Sequence, residues 1–209
     1  MSLVPNSRPQ IKRDALVALI KKAYPKETAN GLPDFLIVGY PAYYRDSMGA
    51  NGKNDRGIFD DAVFLLTPNT FAAFNGNTDP SAFREGIATL QPGWYPVYQF
   101  SIHGGASAQY PAICQRKGPV IVRRDGTDYV KEGVSDRRGY CLGGGLWRGE
   151  FGINIHRGGR NGTSSLGCQT IPPAQWDAFY TLAKSEAVRL YDKKWNTVPV
   201  TYCLLPYQD

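Results

Sequence analysis

The stretch Phe151-Gly-Ile-Asn-Ile-His156-Arg-Gly-Gly-Arg-Asn-Gly-Thr-Ser-Ser165-Leu-Gly167-Cys168-Gln-Thr-Ile-Pro-Pro173 carries three structural signals in succession. Alternation before His156 is the period of a half-buried strand, so Phe151–Ile155 reads as a strand that delivers an imidazole at its end. Small or flexible residues follow (Gly158, Gly159, Asn161, Gly162, Thr163, Ser164 and Ser165), the composition of a loop that curls back. Pro172-Pro173 then opens a helix through Tyr191, with Trp176, Phe179, Tyr180, Ala183, Ala187 and Leu190 at helical spacing.

Outward from this stretch, strand-like runs separated by Gly or Pro occur at Ala62–Leu66, Thr70–Phe74, Tyr95–Ile102, Pro111–Cys114 and Val120–Arg124. Phe35–Val38 and Val198–Leu205 read as further strands. Such a rhythm predicts a sandwich or barrel. An amphipathic helix is expected from Gln10 to Ala23, ended by Pro25 and Asn30-Gly31. Tyr40–Asp60, rich in Gly, Asn and Asp, reads as a long polar loop, a lid in one reading. The expected architecture is mainly β with two or three peripheral helices: an N-terminal helical segment over residues 1–34 and one main domain over 35–209.

The 209 residues are 42% hydrophobic and 20% charged, which excludes a disordered chain. No apolar run approaches the roughly 20 residues of a membrane-spanning helix. The start, Met1 to Gln10, has no charged and apolar pattern of a secretory signal, so synthesis in the cytoplasm without a signal peptide is expected. Cys114, Cys141, Cys168 and Cys203 match neither a disulfide framework nor a zinc ribbon and are expected to be reduced. A formal net charge of +6 favours acidic partners: nucleic acid, an anionic membrane surface or the cell wall. The basic residues are scattered in pairs, and no nucleic-acid-reading motif is present, so specific nucleic-acid recognition is not expected.

The chain has two histidines, His103 and His156, each closing a strand-like alternation before a glycine turn. A loop that brings Cys168 back to His156 pairs a thiol with a base, the requirement for a thiolate nucleophile. Gly167 before it lets backbone N–H groups converge on the carbonyl under attack. Asp60, Asp61 and Asp79 are read as turn or cap residues, and Cys114 and Cys203 as buried strand residues. Trp147, in the loop before the His156 strand, is a candidate substrate contact.

The run His156…Ser165-Leu166-Gly167-Cys168 resembles the signature of the L,D-transpeptidase catalytic domain, in a divergent, phage-borne form. The likeness is strongest over 149–173. It implies a β-sandwich or barrel, Cys168 as nucleophile, His156 as base, and Gly167 and Cys168 as oxyanion donors, without a cofactor or metal. The implied substrates are peptidoglycan stem peptides, whose acyl group passes through a Cys168 thioester to an amine or to water. His103, Ser165, Arg157, Arg160 and Trp147 become the candidate substrate-binding residues. The sequence departs from the family in the short loop before Cys168, in Leu166 where a second His is frequent, and in Gln169-Thr170. Without an export signal, such an enzyme reaches the wall through phage lysis or a secretion machine. Two alternatives stand beside this one: a zinc hydrolase using His103, His156 and Cys168 or Cys141, and a non-catalytic wall-binding or virion protein of the same fold.

Overall fold

A computed structural model describes residues 10–48, 54–106 and 108–207. The N-terminal stretch read for a signal and the middle of the Tyr40–Asp60 loop therefore lie outside the described residues. In chain order the elements are α1 (Arg13–Ala23), β1 (Leu36–Tyr40), β2 (Asp61–Leu66), β3 (Phe71–Gly76), β4 (Ala88–Leu90), β5 (Gly93–His103), β6 (Tyr110–Gln115) and β7 (Val120–Arg124). They continue as β8 (Ser135–Asp136), β9 (Gly139–Gly143), β10 (Leu146–Gly149), β11 (Ile155–Arg157), β12 (Gln169–Ile171), α2 (Pro173–Tyr191) and β13 (Val200–Leu204).

The protein is mainly β, as expected. Eight strands form one curled sheet in the order β12-β11-β6-β5-β13-β1-β2-β3. Its two ends meet through Asn77 and Thr170, which exchange backbone hydrogen bonds of 2.8 and 2.9 Å and nearly close a barrel. A second sheet, β4-β7-β10-β9-β8, holds the small-residue segment that sequence reading left without strands. Its periodicity is hidden by glycines in β9 and by the two-residue β8.

Both faces of the large sheet are covered, which is why β1, β2 and β13 read as near-continuous apolar runs. One face packs Leu36, Val38, Phe64 and Cys203 against Leu16 and Ile20 of α1, so the N-terminal helix belongs to the packed body. The other face packs Ile37, Val63, Leu65 and Phe100 with Trp176, Phe179, Ala183 and Ala187 of α2 and with Val120, Val122 and Trp147 of the small sheet. Burying a large apolar side chain of this kind contributes about 1.5–3 kcal/mol, so these two clusters supply the bulk of the favourable folding energy. α2 starts at Pro173 because proline needs no N–H partner there and its fixed φ suits the first turn. No helix among the described residues is long and apolar enough to cross a membrane.

Three aspartates read as turn or cap residues instead tie the loops before β2 and after β3 together. Buried Asp61 accepts the Ala42 and Thr78 backbone N–H groups and the Thr78 hydroxyl. Asp60 accepts the Asp55 N–H at 2.9 Å, and Asp79 accepts the Asn54 amide at 2.6 Å. All four cysteines are free thiols.

Candidate active site

The topology explains how the chain after His156 returns to place Cys168 beside Asn154. β11 and β12 are parallel neighbours, with Ile155 opposite Gln169 and His156 opposite Thr170. A chain leaving one parallel strand must return to the start of the next, normally by a crossover of a dozen or more residues. Here residues 158–168 make that return without a helix, and so Cys168 arrives beside Asn154, just ahead of β11. The strand itself is Ile155–Arg157, shifted from the expected 151–155, so His156 sits inside it and not at its end. Phe151 and Ile153 instead donate their N–H groups to the Gln115 side chain, which holds this segment outside the ladder.

Asn154, just ahead of β11, and His156 within it both lie against the His103 ring. Asn154 connects the site. Its backbone N–H donates to Cys168 Sγ at 3.4 Å, its Nδ2 lies 2.9 Å from His103 Nδ1, and its Oδ1 accepts the Gln115 N–H at 3.0 Å. The His103 and His156 rings are stacked, with centroids 4.1 Å apart and 13° between planes. His156 Nδ1 lies 2.8 Å from the Arg157 carbonyl oxygen and 3.0 Å from the Tyr110 hydroxyl, which itself donates to Arg157 O at 3.3 Å. Among the described residues nothing hydrogen-bonds His156 Nε2.

Cys168 is partly exposed, and its thiol donates to the Gly152 carbonyl at 3.4 Å. It makes no hydrogen bond to either imidazole among the described residues. Burial pushes the thiol up to about 11, only partly offset by the Asn154 N–H. Burial, and then the neighbouring His103, push His156 down to about 4. His103 is lowered as well, by burial and by Arg116. These shifts favour a neutral thiol and neutral imidazoles, joined through Asn154. Burial thus moves the thiol in the direction opposite to the thiolate expected from a thiol–base pair.

The other sequence-selected residues divide. Gly167 holds φ +131°, and a Cβ there would lie 2.3 Å from the Ala88 carbonyl oxygen, so glycine is required at the turn. Its N–H, however, donates to Ser165 Oγ at 3.0 Å, so the expected role of Gly167 as an oxyanion donor is corrected. Ser165 is buried and donates to the Cys168 carbonyl at 2.7 Å; it shapes the turn and offers no surface to substrate. Trp147 is likewise fully buried, its indole N–H on Thr127, and is a core residue. Arg157 is exposed, its guanidinium 4.9 Å from the Tyr110 ring centroid. Arg160 lines a cavity of about 720 Å³ together with Phe59, Asn161 and Pro172, and neither Cys168 nor His156 borders that cavity. Leu166, where the resembled signature often has a second histidine, is exposed two residues before Cys168.

Sequence reading missed Asn154 and Tyr110. Asn154 had a signal, being the polar residue two before His156 in the alternating run. Tyr110 had none, since only the order β11-β6-β5 brings it to His156. Among the described residues no group of three or more His, Cys, Asp or Glu side chains is placed to hold a metal ion, so the zinc alternative lacks a ligand set. In comparisons with known proteins, no family model, no curated protein and no solved structure matches this chain.

Proposed function

We propose that this protein is a cysteine-dependent acyl-transfer enzyme acting on peptidoglycan stem peptides, an L,D-transpeptidase or an L,D-carboxypeptidase or endopeptidase. The observation that supports this reading is the joining of a partly exposed thiol to an imidazole pair through one residue, Asn154. The substrate class comes from the sequence resemblance around Cys168.

The Arg157 carbonyl oxygen accepts only, so His156 carries its proton on Nδ1 and keeps a lone pair at Nε2. Attack begins when Cys168 Sγ turns from Gly152 toward that lone pair and gives it the thiol proton. Sγ bonds to the amide carbon while the carbonyl π pair moves onto oxygen. As the tetrahedral centre collapses, the C–N bond breaks and the leaving amine takes the proton from His156 Nε2. The thioester then passes its acyl group to an amine or to water: His156 deprotonates the acceptor, the C–S bond breaks, and the sulfur regains a proton. The neutral resting pair means that proton transfer accompanies attack. Such an enzyme works at the cell wall, where its basic charge favours the anionic polymer.

Incubation of purified muropeptides with the wild type and with Cys168→Ala, followed by mass spectrometry, tests the reading. Loss of terminal D-Ala, or cross-linked dimers, in the wild type alone is the expected result. Identical traces overturn it in favour of a wall-binding protein.

A further inference from the structure

The hydrogen bonds around the stacked imidazoles fix opposite tautomers. Asn154 Oδ1 accepts from Gln115, so the atom that meets His103 Nδ1 is the amide nitrogen, which only donates. Neutral His103 therefore accepts at Nδ1 and carries its proton on Nε2. His156 does the reverse, with its proton on Nδ1 toward Arg157 O. Two parallel rings 4.1 Å apart thus offer one Nε2 lone pair and one Nε2–H.

We infer that His103 is a second catalytic residue, whose Nε2–H holds the carbonyl oxygen of the acyl donor while His156 serves as base. This rests on the acyl-transfer reading above. Three observations carry it. The Gly167 N–H is occupied by Ser165, so the turn before the nucleophile lacks one of the two backbone donors that a cysteine acyl-transfer site uses. His103 is only half-buried, and nothing among the described residues hydrogen-bonds its Nε2. Its tautomer is set by the side chain of Asn154, the residue whose backbone N–H meets the Cys168 sulfur, so one residue holds both the donor and the thiol. A neutral donor also suits its place: when His156 takes the thiol proton, a charged ring stacked on it would oppose the transfer, and His103 stays uncharged. In the step itself, the carbonyl π pair moves onto oxygen and is held by the N–H; the proton remains on His103, and the pair returns when the C–N bond breaks.

Because the chain has two histidines, the tautomers are directly readable. Untagged, ¹⁵N-labelled wild type is examined by two-bond ¹H–¹⁵N correlation near neutral pH, with His103→Gln assigning the spectrum. One imidazole protonated on Nδ1 and one on Nε2 is expected, the latter absent from the variant. In a second arm, a tetrapeptide stem acylates the enzyme in a single turnover followed by intact-protein mass spectrometry. His103→Phe keeps a stacked ring without the donor, and its acylation is expected to fall by roughly 10²–10³-fold. His103→Gln keeps an N–H and retains at least about tenfold more rate than His103→Phe. Two like tautomers, or His103→Phe acylating at the wild-type rate, overturn the assignment. A wild type that no stem peptide acylates overturns the acyl-transfer reading, and the donor role with it.

Discussion

His103 and His156 lie face to face, 4.1 Å between ring centroids, although 53 residues separate them in the chain. Strand order makes the contact: β5 carries His103, β6 carries Tyr110 opposite it, and β11 pairs on the far side of β6. Two imidazoles in van der Waals contact cannot both charge at low cost, and this has a measurable consequence for stability.

Burial first, and then the facing His103, push His156 down to about 4 from the ordinary 6.5. Between those values the unfolded chain binds the extra proton and the folded one does not, so acidification from about 6.5 to 4 removes stability. A shift of this size corresponds to about 3 kcal/mol. Asp60 works oppositely. Burial raises it to about 6, so its contribution is present below the usual carboxylate range and is lost as pH rises through 6. Urea unfolding across pH 4–8 separates the two. Relative to wild type, His156→Gln gains stability as pH falls, and Asp60→Asn gains stability as pH rises. Parallel curves for either variant would show that its group titrates normally.

Much of this architecture was readable before any coordinates. The α2 pattern, the buried runs of β1, β2 and β13, and the return of a glycine-rich loop from a strand histidine to a cysteine all follow from local spacing. What stayed hidden is non-local. Asn154 looked like an ordinary alternating position until Gln115 and His103 came to its two ends. The role expected of Gly167 failed because a neighbouring hydroxyl, Ser165, claims the N–H that the sequence reading had assigned to an oxyanion. Trp147 was selected for its place before the His156 strand; strand β10 instead turns it inward, onto the apolar cluster shared by the two sheets.

Burial holds the Cys168 thiol near 11. Its alkylation by iodoacetamide, followed by peptide mass spectrometry, is expected to accelerate steadily from pH 6 to 9, about tenfold per unit, because the thiolate fraction rises tenfold per unit below the pKa. A plateau below pH 8 would reveal a preformed thiolate and contradict the neutral resting pair.

Gly167→Ala places a Cβ against the Ala88 backbone in a conformation that L-residues rarely adopt. Backbone strain of this kind costs of order 1–3 kcal/mol before the clash is counted. A clearly lowered thermal midpoint is expected. Gly162→Ala is the control: a Cβ there meets nothing within 4 Å, and its midpoint stays close to wild type. Equal midpoints for the two variants would refute the steric requirement at the nucleophile turn.

Tyr110 is a positioning residue. Its hydroxyl lies 3.0 Å from His156 Nδ1 and donates to the same Arg157 carbonyl that fixes the tautomer, while its ring lies edge-on to His103, 5.4 Å between centroids. Tyr110→Phe keeps the ring contacts and removes only the hydroxyl. The Nδ1–H to Arg157 O bond survives, so His156 keeps its tautomer but loses part of the scaffold that holds its ring in place. A net hydrogen bond is worth about 1 kcal/mol, so kcat on the stem peptide falls roughly fivefold while KM holds, the mark of an effect confined to the reacting geometry. Tyr110→Ala removes the ring as well, frees His103 from its edge contact, and lowers kcat further. A KM rise at constant kcat in Tyr110→Phe would instead make the tyrosine a substrate contact and sink its positioning role.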